Sequence, residues 1–225
     1  MTAIATAGST AFHIPELPDM ARMYRECGER LRDSMKEKGV GALVLLGNGN
    51  VVYATGASWR LLDAGLSHVE RPVAVVLADD EHPHLFMPMR EGSLSDTEVP
   101  ADHVHGPVYL EFDEGVEHFA TVLADLVPAG AAVAVDELTG AMRRAQTRLF
   151  PSGPPSDAAQ VVGPAKLVKT ADQISCVRNA CRITEEAMVD VQNALAPGVR
   201  QIDLSAAFVR RAFELGATAN MLEAI

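Results

Sequence analysis

Apolar residues along this chain switch between two spacings, and the switches mark its elements. Met20 opens a stretch in which Tyr24, Cys27, Leu31 and Met35 recur every three or four positions with Arg, Glu and Lys between them. That spacing predicts an amphipathic helix, and Gly39 and Gly41 predict its end. Ala42-Leu-Val-Leu-Leu46 follows as an unbroken apolar run of strand length, suited to a sheet covered on both faces. Gly47-Asn-Gly-Asn50 turns the chain into Val51–Gly56. Pro72–Leu77 and His84–Met87 predict a strand pair around the polar tip Ala78–Pro83. Val108–Phe112 predicts a further strand. Phe119, Val122, Leu123 and Leu126 predict a helix face that Pro128 and Gly130 stop, Ala132–Val135 a strand, and Ala141–Leu149 a helix. Strands alternating with helices in this way predict one α/β domain on a mixed sheet.

Pro151-Ser-Gly-Pro-Pro155 is the best boundary, because prolines at this density cannot continue a helix. Beyond it, Thr170 and Gln173 form a capping-box pattern at a helix start. Ile174, Val177, Cys181, Thr184, Met188, Val191 and Leu195 then form a stripe that predicts a helix packed on a sheet, ended by Pro197-Gly198. Asp203 is expected to cap a second helix with Leu204, Phe208, Ala212 and Leu215 on one side, closed by Gly216. These two helices have no sheet of their own to cover. The organisation expected is a flexible, Pro-punctuated arm over 1–19, an α/β domain over 20–155, and a linker with the start of a second domain over 156–225.

Composition narrows the function classes. The chain has 225 residues, 48% apolar and 22% charged, with only 5% aromatics, so the core must rest on Val, Leu, Ala and Met. A net charge of −11 argues against a nucleic-acid partner. No signal peptide precedes Arg22, and the longest apolar run, Leu126–Val135, is broken and too short to span a bilayer. A soluble cytoplasmic protein without membrane contact is expected. Three cysteines give no disulfide framework. Cys176 and Cys181 point about 140° apart on a helix and cannot share a ligand, while Cys27 and Cys181 fall on apolar stripes and read as small core residues.

Candidate chemistry is sparse. Gly47-x-Gly49 begins a dinucleotide pattern, but Val52 stands where a third glycine belongs, so a tight turn is the better reading. Two His-x-His pairs, His82/His84 and His103/His105, would each present two imidazoles on one strand face, with Asp80, Glu81 and Asp102 offering oxygens. Pro83 and Pro100 mark loop or edge positions, and nothing in the sequence forces the pairs together, so no metal ligands are assigned. No Gly-x-Ser-x-Gly is present; Ser58, Ser67, Ser93 and Ser95 read as polar loop residues, and Glu185–Glu186 and Asp79–Asp80 as solvated surface.

The order of features resembles the creatinase/prolidase/aminopeptidase P family of pita-bread metallohydrolases. Asn50-Val-Val-Tyr-Ala-Thr-Gly56 matches the family's N-(I/V)-x-Y-x-(T/S)-G segment. Lys166-Leu-Val-Lys-Thr-Ala-Asp-Gln-Ile174 is similar to the R-x-I-K-S-P-E-E-I that leads into the catalytic domain. Thr184-Glu-Glu-Ala187 and Pro197-Gly-Val199 fit that domain's first two helices. Ala165-Lys166 replaces the family arginine, and Ala171 its proline. The resemblance implies a mixed-sheet, creatinase-like N-terminal domain of ribonuclease H-like fold, followed by the first two helices of a pita-bread α+β domain. It also implies a parent hydrolase holding two divalent metal ions (Mn, Zn, Co or Fe) on two aspartates, a histidine and two glutamates. Those ligands lie downstream of Gly216 in the family, so no catalytic or metal residue maps onto this chain, and it is expected to be inactive as it stands. The resemblance further implies a homodimer acting on a small peptide or small amide. The loop starting at Ala57 would reach the neighbouring subunit's active site, with Trp59, Arg60 and Leu62 supplying an apolar wall and a carboxylate clamp. The alternatives are a non-catalytic binding or dimerisation module, or a relative with lyase or creatinase-type chemistry.

Overall fold

The computed structural model describes residues 17–57, 69, 71–88 and 99–217. These form two compact units, one spanning Met20–Thr170 and one holding the described residues after it together with residues 17–19. Trp59, Arg60 and Leu62 lie outside the described residues.

The first unit is built on a six-stranded mixed sheet. Its strands are β1 (Ala42–Leu45), β2 (Val73–Leu77), β3 (His84–Phe86), β4 (Val104–His105), β5 (Val133–Val135) and β6 (Ser156–Asp157), in the spatial order β4-β3-β2-β1-β5-β6. β1 lies near the middle, antiparallel to β2 with Leu43 opposite Val76, and parallel to β5 with Leu43 opposite Ala134. All four β1 residues are fully buried, so both faces of the strand are covered, as its unbroken apolar run predicted. On one face, Val44, Val75, Phe86 and Val135 join a core with Val116, Phe119 and Leu123 of α3 (Asp113–Leu126). Each fully buried Phe or Leu there stabilises the fold by about 1.5–3 kcal/mol.

Helix α1 (Met20–Lys38) forms over the predicted span and buries Met23, Cys27, Leu31 and Met35, packing against α2 (Asn48–Thr55) and α6 (Ala159–Leu167). Segment Val51–Gly56 forms most of α2. Gly56 ends it at φ +71, where an added Cβ would also strike the Tyr24 ring at 2.7 Å, so two constraints require glycine. The helix expected over Ala141–Leu149 is two short pieces, α4 (Gly140–Arg144) and α5 (Gln146–Leu149).

Two features of this unit differ from expectation. Val108–Phe112 is not a strand; it runs as loop and turn, with Val108 and Leu110 buried in the core. Its backbone finds other partners: Phe112 N–H donates to Tyr109 O, and the Leu110 carbonyl accepts from the Thr139 hydroxyl. Downstream of Pro151–Pro155, β6 and α6 still belong to the sheet unit, which runs to Thr170. The C-terminal carbonyls of α6 are answered by side chains, Ala165 O by Tyr53, Lys166 O by Lys169 and Val168 O by Arg30.

In the second unit, α7 (Ala171–Ala194) and α8 (Gln201–Glu214) pack on each other, with Ala187, Ala207 and Ala212 buried. Gly216 at φ +101 follows α8, as expected. Most of the α7 stripe is exposed, from 40% at Ile174 to 66% at Leu195, with Val191 half-buried, and Cys181 is exposed rather than a core residue. The cap of α8 also differs: the N-cap is Arg200, and Asp203 lies in the first turn with its carboxylate bonded to the Arg200 guanidinium at 2.8 Å from both Nε and Nη2. With its oxygens taken by that fork, Asp203 does not serve as the cap.

Glycine contacts supply a stability test. A Cβ on Gly115, in the first turn of α3, would lie 2.1 Å from the Tyr109 carbonyl oxygen, whereas one on Gly49 would meet nothing within 4 Å. Gly115→Ala is expected to lower stability by about 1–3 kcal/mol. Gly49→Ala, in a helix, should be neutral or stabilising by up to about 1 kcal/mol. Urea denaturation of both proteins checks the contrast; equal midpoints would refute the close approach at Gly115.

Candidate functional site

Open α/β sheets bind ligands at the carboxyl ends of their parallel strands, and here that place is filled by the chain itself. β1 and β5 end side by side, and Asp136, one residue past β5, points its carboxylate at the start of α2. Oδ1 accepts from the Leu46 amide at 2.8 Å, and Oδ2 from the Gly47 amide at 3.0 Å and from Asn50 Nδ2 at 2.8 Å. The helix N-terminus therefore already holds an anion. A Cβ on Gly47 would sit 3.0 Å from Asp136 Oδ2, so Gly47 lets this carboxylate approach, and the dinucleotide reading is excluded on geometry.

Lys166 extends the network. Its ammonium donates to Asn50 Oδ1 and to Gly49 O, and lies 5.1 Å from the Tyr53 ring centroid. Burial lowers its pKa, and the Asp136 charge opposes that shift. Tyr53 donates to Ala165 O at 2.8 Å, and burial raises its pKa. Asn50, Tyr53, Gly56 and Lys166, the residues that carry the sequence motif, thus tie α2 to α6 and the sheet. They are a scaffold lock.

The second cluster is one the sequence could not assemble. β3 pairs in parallel with β4, placing Leu85 opposite Val104 and Phe86 opposite His105. This brings both His-x-His pairs to one edge of the sheet. His84 and His103 stack with centroids 4.2 Å apart, His82 meets His103 edge-on at 6.1 Å, and His84 Nδ1 lies 3.0 Å from His105 Nε2. The His105 ring stacks on Phe86 at 4.6 Å. Asp80, on the hairpin tip, puts Oδ2 3.8 Å from His84 Nε2. Burial lowers the pKa of His84, helped by the charges of His103 and His105 and opposed by Asp80 and Asp102. His105 is lowered by burial and then by His103. Both are therefore neutral imidazoles at neutral pH.

Of the other candidates, Ser58, Ser67, Ser93 and Ser95 lie outside the described residues, as do Trp59, Arg60 and Leu62. Glu185 and Glu186 are exposed on α7, as expected. Asp136 was missed by sequence reasoning. Its only signal is position, a carboxylate directly after a short apolar strand.

The geometry defines an α/β domain on a mixed sheet whose strand-end crevice is closed by its own carboxylate. The chain belongs to the creatinase/prolidase N-terminal domain family, whose model matches residues 28–165. The fold is similar to that of a prolidase from Pyrococcus furiosus (18% identity, TM-score 0.62), covering 84% of this chain and 53% of that one. A dipeptidase, PepE, from Mycobacterium ulcerans gives 19% and 0.64, over 91% of this chain and 52% of that one. An X-Pro aminopeptidase from Thermotoga maritima gives 15% and 0.63, over 85% and 50%. The chain thus spans about half the length of these solved structures. No curated protein matches the sequence. Among the described residues no helix is long and apolar enough to cross a membrane.

Two measurements test these clusters. Asp136→Ala leaves the Leu46 and Gly47 amides without their acceptor and is expected to cost about 2–4 kcal/mol in urea denaturation, with Asn50→Ala costing about 1 kcal/mol. An unchanged midpoint for Asp136→Ala would mean that water replaces the carboxylate. At the sheet edge, native pKa values below 6.5 mean that the unfolded chain takes up protons first on acidification. That part of the stability is present in full above about pH 6.5 and is lost as pH falls through it towards the lowered native values. In metal-free buffer, Tm should therefore fall on acidification below about pH 6.5, and less steeply in His105→Gln.

Proposed function

We propose that this chain is the N-terminal portion of a metal-dependent hydrolase of the Xaa-Pro aminopeptidase or dipeptidase type, with a small peptide or small amide as the parent protein's substrate. The observation that carries this reading is the family match over the sheet unit, joined to a helical hairpin whose α7 stripe is left exposed. Exposed Ile174, Val177, Met188 and Leu195 form the kind of face that a further layer of structure covers. In this proposal the creatinase-like domain, expected over 20–155, takes in β6 and α6 as well, and the chain after the sheet unit leads into the catalytic domain. The parent works in the cytoplasm as a homodimer, with Trp59, Arg60 and Leu62 facing the partner's substrate.

The residues present do not fit a dinuclear hydrolase centre. That chemistry needs a carboxylate-rich set bridging two ions. Among the described residues, the one group of three converging donors is Asp80, His84 and His103, with a single carboxylate. We therefore assign no hydrolytic step to this chain. A second reading is a binding or dimerisation module without catalysis; with the strand-end crevice filled by Asp136, the exposed apolar residues of α7 are the surface that favours it.

The 225-residue chain with added Mn²⁺ or Co²⁺ is expected to hydrolyse Xaa-Pro dipeptides no faster than the buffer blank, while a chain continued through a downstream Asp, Asp, His, Glu and Glu set turns them over. Turnover by the shorter chain would overturn the assignment; an inactive longer chain would favour the binding module. In an active longer chain, Arg60→Ala should raise KM about 10-fold with little change in kcat, since a carboxylate clamp acts on binding.

A further inference from the structure

We propose that Asp80, His84 and His103 form a mononuclear site for a divalent transition ion of the zinc class, fastening the edge of the sheet. The argument rests on this chain's own residues and does not depend on the hydrolase reading.

The three donor atoms lie within 4.8 Å of one another. They come from three separate places: Asp80 from the β2–β3 hairpin tip, His84 from the start of β3, and His103 from the 3₁₀ turn Ala101–His103 that leads into β4. An ion held by all three would tie the hairpin to the edge strand, where the β3–β4 ladder has only two register pairs.

Two of the donors are poorly served without an ion. His103 Nδ1 is shut away from solvent and makes no hydrogen bond. His84 Nε2 faces Asp80 Oδ2 at 3.8 Å, beyond hydrogen-bond range. The other nitrogen of His84 is 3.0 Å from His105 Nε2. When Nδ1 carries the proton of that bond, Nε2 presents a lone pair towards a carboxylate, an arrangement that a cation between them completes. His105 then stands behind the ligand and fixes its tautomer and orientation, as metal-bound histidines require.

Modest movement closes the site. Tetrahedral bonds of about 2.0–2.1 Å place donors about 3.3 Å apart, so no separation need contract by more than about 1.5 Å. The rings of His84 and His103 are 4° from parallel, and one ion cannot lie in two parallel ring planes. His103 must therefore tilt out of the stack. It is half-buried at the end of a short turn, and Asp80 is half-buried on the hairpin tip, where Oδ1 accepts from the His82 amide at 3.1 Å and leaves Oδ2 for the ion. His82, edge-on to His103, or a water fills the fourth position. Two imidazoles with one carboxylate select zinc, cobalt, nickel or copper over magnesium and calcium, which prefer all-oxygen sites.

The test uses the 225-residue chain, stripped with EDTA and returned to metal-free buffer, then titrated with Zn²⁺ by calorimetry and with Co²⁺ by visible absorption. Expected are one ion per chain, the intense bands of four-coordinate cobalt, and a Tm raised by about 4 °C or more at saturation. Asp80→Asn and His103→Gln should each weaken binding at least about 10-fold. His118→Gln, exposed on α3, should leave it unchanged. No uptake, six-coordinate cobalt, or binding unchanged in both ligand variants would overturn the proposal. Should the variants lose their native circular dichroism, the cobalt spectrum of the unaltered chain decides alone.

Discussion

Two parallel strands, β1 and β5, end side by side, and there the chain must turn into α2 without leaving the Leu46 and Gly47 amides unbonded. The Asp136 carboxylate accepts from both and from Asn50, and Asn50 in turn accepts from Lys166 on α6. Helix α6 returns the connection, because Tyr53 of α2 and Arg30 of α1 bond its last carbonyls. The sheet, α1, α2 and α6 are thus closed into one loop of polar contacts around an apolar core. Charge-assisted bonds of this kind outweigh neutral ones, and removing the single acceptor strands two amides at once. In this chain Asn50 bridges Asp136 and Lys166, Tyr53 bonds the Ala165 carbonyl, and Gly56 ends α2 against the Tyr24 ring.

Much of this architecture was legible in the residues. Helix α1, strands β1, β2, β3 and β5, and helices α3, α7 and α8 follow from short-range pattern, the helices from apolar spacing and the strands from short apolar runs. The failures share a cause. Val108–Phe112 has strand composition, but its carbonyl is answered by the Thr139 hydroxyl from 29 residues away, and no spacing encodes a tertiary acceptor. Helix α6 contains Pro164 and follows a Pro-rich turn, so local propensity argued against it; tertiary bonds to its C-terminal carbonyls win. Asp203 looked like a cap and is claimed by Arg200 instead. At the histidine cluster, the pairs were visible and their meeting was not, because it depends on β3 and β4 being neighbours.

The second unit shows why a periodic stripe does not by itself say what a helix covers. Ile174, Val177, Met188 and Leu195 recur at helical spacing, yet among the described residues α7 buries only Asp172 and Ala187. Ala187, Ala207, Ala212 and Leu215 are buried, and Leu204 and Phe208 half-buried, while Ile174, Val177, Met188 and Leu195 of α7 stay exposed. Such a hairpin has more apolar surface than its own contact uses. Burial of that surface stabilises only when a further partner is supplied.

The sheet edge makes the complementary point. β4 offers two residues in parallel pairing with β3, a weak ladder on backbone bonds alone. What joins it to the core is a run of rings: His103 on His84, His105 on Phe86, and Phe86 edge-on to Phe119 at 5.4 Å. Phenyl rings in such a run are indifferent to their surroundings, but imidazoles are not. Each carries a lone pair and an N–H that need partners, and each repels its neighbours once protonated. The cohesion of this edge is therefore set by what the imidazole nitrogens hold as well as by packing. That gives β4 a chemical dependence absent from β1, whose hold on the sheet is apolar on both faces.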